Sequence, residues 1–301
     1  MLRKFEFLVN EVRDTTDTQD INSINIYEIM RYFNDAQKNL QKIIYSANPS
    51  ADIFVSQASY SLERNKVAYD LPFNIYAHNS VSSVSSLKDS KIANTLTRVA
   101  YREKEILRGY SLLDKQIVLT SSPEISSISE LLVNYVYKIP TLSPRLAKVA
   151  SIDLVTNTIA IDPASVIDDD KFQERYDKYS VVDSRGTQKA RQLHLVDFNG
   201  TSFEFEGNLE ADSQYGLSGV EVGDWIVCGD NATSHSLLPE SCEPYLLSYV
   251  QRRILSKLSS VDTQVEVLFS ESERADIEDL FKDNVKDPIY PVITDSFFLG
   301  Y

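Results

Sequence analysis

Between residues 24 and 44 the apolar side chains Ile26, Ile29, Met30, Phe33, Ala36, Leu40, Ile43 and Ile44 recur at spacings of three and four. At 3.6 residues per turn they share one face, which predicts a helix. It stops at Ala47-Asn48-Pro49-Ser50, because the residue before a proline is pushed out of the α region. Short runs rich in Val, Ile, Tyr and Leu then predict strands at 53–55, 62–71, 115–119 and 131–137. The stretch 95–107 fits either a long strand or a short helix, and Arg108-Gly109-Tyr110 reads as the turn into the next strand.

Beyond Pro140 and Pro144 the texture changes to closely spaced short strands at 146–155, 158–161, 179–182, 192–198, 202–205 and 225–228. Asn199-Gly200 marks a tight hairpin between two of them, since Asn-Gly suits positive φ. Helical spacing returns after Pro239 with Leu246, Leu247, Val250, Ile254, Leu255 and Leu258. Ser270 and Glu273 have capping-box spacing for a further helix through Ile277, Leu280 and Phe281. Helix, strands, a β unit and two more helices are segregated along the chain, which predicts an α+β fold and not a parallel α/β sheet. The organisation expected is a core of helices and antiparallel strands from 1–144 plus 237–287, an inserted β domain at 145–236, and an extended C-terminal arm at 288–301.

Apolar residues make up 43% and charged residues 25% of the 301, so there is enough apolar side chain for a buried core. No apolar run approaches the roughly 18 to 20 residues that cross a bilayer, and MLRKFEFLVNEVRD is interrupted by charge too early for a signal peptide. A soluble protein, not exported by that route and without a membrane partner, is expected. The net charge of −14 disfavours a grip on nucleic-acid phosphates but not a surface that nucleic acid slides past. Two cysteines, Cys228 and Cys242, are too few for a disulfide framework and lack zinc-ligand spacing, so two reduced thiols are expected.

Candidate chemistry is sparse. Nine glycines include no phosphate-cradling loop, and neither a nucleophile elbow nor a His-Glu-x-x-His helix occurs, so no cofactor and no metal are called for. Asp168, Asp169 and Asp170 read as a solvated loop or short helix and not as a binding site. His235, between Ser234 and Ser236 and near Asp230 and Cys228, is the least implausible catalytic group, though a polar loop leading into a helix explains it better. His194 alternates with leucines and reads as the outer face of a strand. Seventeen tyrosines against one tryptophan suit contact between folded surfaces, because tyrosine buries area and keeps a polar tip.

Several spaced pieces carry a resemblance. They are Phe33-Asn34-Asp35-Ala36-Gln37 with Leu40; Tyr69-Asp70-Leu71-Pro72; Arg108-Gly109-Tyr110-Ser111, then Ile117-Val118-Leu119 and Pro123; the strand 132–137; Leu238-Pro239-Glu240; and Asp287-Pro288-Ile289-Tyr290-Pro291. In pattern and order over most of the chain this resembles the head-to-tail connector (adaptor, or neck) proteins of tailed double-stranded DNA bacteriophages. The region from about 145 to 235 fits that pattern least.

The resemblance implies a non-enzymatic virion protein, assembled in the host cytoplasm, that forms a ring, commonly a dodecamer. Its partners would be further copies of itself, the portal protein above and a tail or neck protein below, with DNA passing unbound through the lumen. Residues 262–287 hold nine acids and three bases, and Glu271, Glu278 and Asp279 are the expected channel-lining acids. The expected portal-docking arm carries Ile289, Tyr290, Val292, Ile293, Phe297, Phe298, Leu299 and Tyr301. Two other classes stay open. A tyrosine-rich β protein recognising carbohydrate or a host surface predicts an exposed aromatic platform. A hydrolase using His235 or an acid pair predicts a concave pocket with perturbed titratable groups.

Overall fold

Two helices precede the first strand. The first, α1 (Phe5–Thr16), buries Phe5, Leu8, Val9 and Val12, a helical spacing hidden in the sequence by the intervening Glu6, Glu11 and Arg13. The second, α2 (Ile26–Ala47), is the helix its stripe predicts; the Asn25 side chain caps it by accepting the Tyr27 N–H at 2.8 Å. Near the C-terminus come α3 (Glu243–Leu258) and α4 (Glu271–Phe281), and α2 packs against both while α1 packs against α3. The computed structural model describes residues 4–18, 24–49, 52–63, 65–77, 80–88, 91–99, 109–120, 130–166, 176–206, 216–258 and 269–282. Among them the fold is mixed α+β, with four helices.

Seven strands form one sheet: β1 (Val55–Ser61), β2 (Ala68–Asp70), β3 (Val81–Lys88), β4 (Lys91–Arg98), β5 (Gly109–Leu113), β6 (Gln116–Leu119) and β7 (Glu130–Val136), in the order β1-β7-β3-β4-β5-β6-β2. All neighbours are antiparallel except β4 and β5. Its core, with Tyr69, Val84, Tyr110, Ile117, Leu131 and Val133, is separate from the rest.

Three expectations fail here. The strand at 62–71 shrinks to β2, because Lys66 N–H closes a turn onto the Glu63 carbonyl and Asn65 sits in the left-handed region at φ 66°. Residues 52–54 are a 3-10 turn, and the strand placed at 53–55 starts at Val55 and runs to Ser61. Gly109 and Tyr110 lie inside β5, and the turn comes at Asp114-Lys115, whose φ values of 45° and 66° match the twist of a two-residue hairpin.

A short parallel pair, β8 (Thr141–Leu142) with β15 (Ala232–Thr233), flanks a closed six-stranded barrel. The barrel runs β10-β13-β12-β11-β14-β9, from β9 (Arg145–Asp153), β10 (Thr158–Asp162), β11 (Lys178–Val182), β12 (Gln188–Phe198), β13 (Ser202–Phe205) and β14 (Trp225–Cys228). Val149, Ile159, Tyr179, Leu193, Phe203 and Ile226 are buried in a cluster continuous with the helices. The Asn199-Gly200 hairpin is present, but only Gly200 takes positive φ, at 86°, while the Asn199 side chain accepts the N–H groups of Thr201 and Ser202.

One face of α2 is polar and yet buried. Asn34 brackets Leu142, donating to its carbonyl at 3.0 Å and accepting its N–H at 2.7 Å. Gln41 donates to the Tyr137 carbonyl at 2.7 Å and accepts the Ile139 N–H at 3.1 Å, and Gln37 reaches the Pro140 carbonyl at 3.4 Å. Three amides at helical spacing thus pair with an extended segment as a strand would, satisfying backbone groups that lie away from water.

Candidate functional site

The last helix is fixed through Glu273. Ser270 Oγ accepts the Glu273 N–H at 3.2 Å while the Glu273 carboxylate accepts the Ser270 N–H at 2.8 Å, the reciprocal box that the sequence predicts. Arg252 on α3 donates from its Nη2 to both oxygens of the same carboxylate at 3.0 and 2.9 Å, and Ser248 donates to it at 3.2 Å. Burial opposes ionisation of Glu273, but these donors hold its carboxyl below the ordinary value. Ile277 is the buried apolar contact of α4.

With Glu273 and Ile277 turned inward, the helical repeat sends Glu271, Glu278 and Asp279 to the other side. Glu271 and Asp279 are exposed and Glu278 is half-exposed. Arg274 lies 3.7 Å from Glu278 and Lys282 4.0 Å from Asp279, solvent-exposed pairs that hold little energy. The three acids proposed to line a channel therefore share one outward face. The proposed arm, from Ile289 to Tyr301, lies outside the described residues, as do Asp168, Asp169, Asp170, Arg108 and the acids at 262, 266, 283 and 287.

The histidine candidate occupies a buried node. His235 is 4% exposed and Ser234 fully buried, with Ser234 Oγ 3.0 Å from His235 Nδ1. Arg145 Nε donates to Ser234 Oγ at 3.3 Å, its Nη2 donates to the Ser184 carbonyl at 2.9 Å, and its guanidinium lies 4.9 Å over the Trp225 ring. Glu6 on α1 accepts the Arg145 N–H at 3.2 Å, and the Phe5 N–H donates to the Ser234 carbonyl at 2.9 Å. Burial and then the Arg145 charge hold the imidazole below its ordinary pKa, so it is neutral at pH 7. A hydroxyl with no exposed surface cannot reach a substrate, and the node ties α1 to the barrel.

The other partners suggested for His235 lie elsewhere. Cys228 is buried at the end of β14, where its N–H donates to Ser143, and Asp230 is exposed, its backbone carbonyl accepting from Gln192. Burial raises the Cys242 thiol to about 11, so it stays protonated. Among the described residues no cluster of His, Cys, Asp and Glu has metal-binding geometry.

No family model and no curated protein matches this chain. Its own geometry is what bears on function. Of the barrel aromatics, Tyr179, Phe203 and Phe205 are buried, whereas Phe198, 4.5 Å from the Phe203 ring, and Trp225, beneath Arg145, are part-exposed. One further site matches none of the sequence motifs. Arg185, Lys189 and Arg191 line a cleft at the β11–β12 hairpin, and the signal is the cation spacing in Ser-Arg-Gly-Thr-Gln-Lys-Ala-Arg.

Proposed function

We propose that this protein is a ring-forming virion subunit that joins a portal to a tail and lets DNA pass through its lumen. In this arrangement the helices stand next to the axis and the barrel projects outward or toward the tail. The observation that carries the reading is the outward face of α4, where Glu271, Glu278 and Asp279 stand together on a helix locked down by Glu273. Acids on a lumen wall repel phosphates over about 8 to 10 Å near physiological salt, leaving a duplex free to slide. The overall charge of −14 acts in the same sense.

Replacing Glu271, Glu278 and Asp279 together by lysine tests it. The ring is expected to assemble, while DNA ejection from particles carrying the variant slows and becomes strongly salt-dependent. Unchanged ejection from intact rings would turn that face away from the lumen, and a wild-type subunit that stays monomeric alone and beside its portal would remove the reading. Deleting residues 288–301 is expected to spare folding and abolish portal attachment, because Ile289, Val292 and Ile293 would supply strand pairing and Phe297, Phe298 and Tyr301 apolar anchors.

A further inference from the structure

The hairpin between β11 and β12 places three cations within seven residues on a protein of strongly negative charge. Arg185, Lys189 and Arg191, with Pro140, Gly186 and Leu237, line a cleft of about 410 Å³. Among the described residues no carboxylate lies within ion-pair distance of Arg185 or Lys189. The nearest acid on the hairpin, Asp183, is engaged by the backbone, accepting the N–H groups of Arg185 at 2.7 Å and Thr187 at 2.8 Å. Arg191 lies 4.5 Å over the Phe73 ring, which sets the plane of its guanidinium.

The far end of the same strand has the opposite sign. From Lys189 to Asp197 β12 advances about 25 Å. There Asp197 stands across from Glu204 on β13, Glu204 across from Thr158 on β10, and Thr158 across from Asp153 on β9. Three exposed carboxylates thus form a row on the outer wall of the barrel. Like charges directly opposite weaken a cross-strand pair, so Asp197 and Glu204 gain from a cation supplied from outside. Within one subunit the cleft cannot supply it, because some 25 Å of closed barrel and more than two Debye lengths lie between.

We propose that the two ends meet between copies of this chain, with the row of Asp153, Glu204 and Asp197 on one subunit seated in the Arg185, Lys189 and Arg191 cleft of the next. The contact is heterologous, the kind that closes a ring when its rotation divides a full turn. It rests on the ring reading above and names the subunit contact that reading requires. Being electrostatic, it assembles fastest at low salt.

Two variants test it, Arg185→Glu with Lys189→Glu, and Asp197→Lys with Glu204→Lys; Arg191 is kept because of its ring contact. Circular dichroism checks that each folds, and native mass spectrometry with sedimentation velocity reads assembly. Each variant alone is expected to weaken self-association at least about tenfold. Mixing the two in equal amounts, or placing all four changes in one chain, is expected to restore it, because opposite charges then face each other again. Wild-type rings that survive both reversals, or folded variants that do not recover on mixing, overturn this contact and leave the ring reading standing. Loss of assembly only for the cleft variant makes the occupant a phosphate or other anion and also overturns it. A wild-type chain that never assembles overturns both.

Discussion

Replacing Gln41 by methionine tests the polar face of α2 directly. The side chain keeps its length and approximate volume, so little cavity is created and the loss is that of its hydrogen bonds. Two backbone groups depend on it, the Tyr137 carbonyl at 2.7 Å and the Ile139 N–H at 3.1 Å, and Gln41 itself is 2% exposed. Leaving a buried polar group unsatisfied costs about 1 to 3 kcal/mol, so the pair predicts a loss of about 2 to 6 kcal/mol. Against a total stability of about 5 to 15 kcal/mol, that is a large fraction. Urea unfolding followed by far-UV circular dichroism, at one protein concentration, measures it as a lower midpoint with unchanged slope. Gln57→Met, on an exposed position of β1, is the control and is expected to stay within about 0.5 kcal/mol of wild type. A Gln41→Met midpoint equal to that control would mean that the amide does not carry the 137–142 segment.

His235 is buried below its ordinary value of 6.5, so the unfolded chain binds a proton that the folded chain refuses; stability is complete above that value and falls as pH drops through it. Thermal melts between pH 8 and pH 5 are expected to show this slope in wild type and a flatter one in His235→Asn. Gly186 has φ 84°, and a Cβ there would stand 2.6 Å from His235 Nδ1, whereas Gly200 has φ 86° and open space. Gly200→Ala is expected to cost about 1 kcal/mol, and Gly186→Ala clearly more; equal losses would show that the imidazole can move aside. Ser270→Ala removes one half of the cap and is expected to cost about 1 kcal/mol, seen as faster amide exchange confined to 271–281.

Helices and barrel strands were legible where one periodicity ran uninterrupted. The α2 stripe and the Ser270 and Glu273 pair read directly because local spacing alone determines them. The barrel strands read well because Val, Ile and Phe alternate with turn residues. Where hydroxyls replace apolar side chains the signal vanishes: β3, Val-Ser-Ser-Val-Ser-Ser-Leu-Lys, buries Ser85 and Ser86, whose hydroxyls bond to Thr95 and to the Asn94 carbonyl. The cation cleft and the carboxylate row were not legible for a different reason. Asp153, Glu204 and Asp197 are brought level by the register of four strands, and no local pattern carries that information.

The way α1 is fastened has a consequence for how the chain is made. Phe5 bonds to Ser234, Thr15 accepts from Gln251 at 2.9 Å, and Glu28 pairs with Lys257, so both early helices find partners some 230 residues later. At roughly 5 to 20 residues per second a ribosome needs on the order of 12 to 50 s to deliver them. Throughout that interval the apolar stripes of α1 and α2 wait without their cover, while the seven-stranded sheet and then the barrel emerge. Completion of the fold is thereby tied to the synthesis of α3. A nascent chain released before α3 is made exposes the apolar faces of both early helices, surfaces that neighbouring nascent chains can capture.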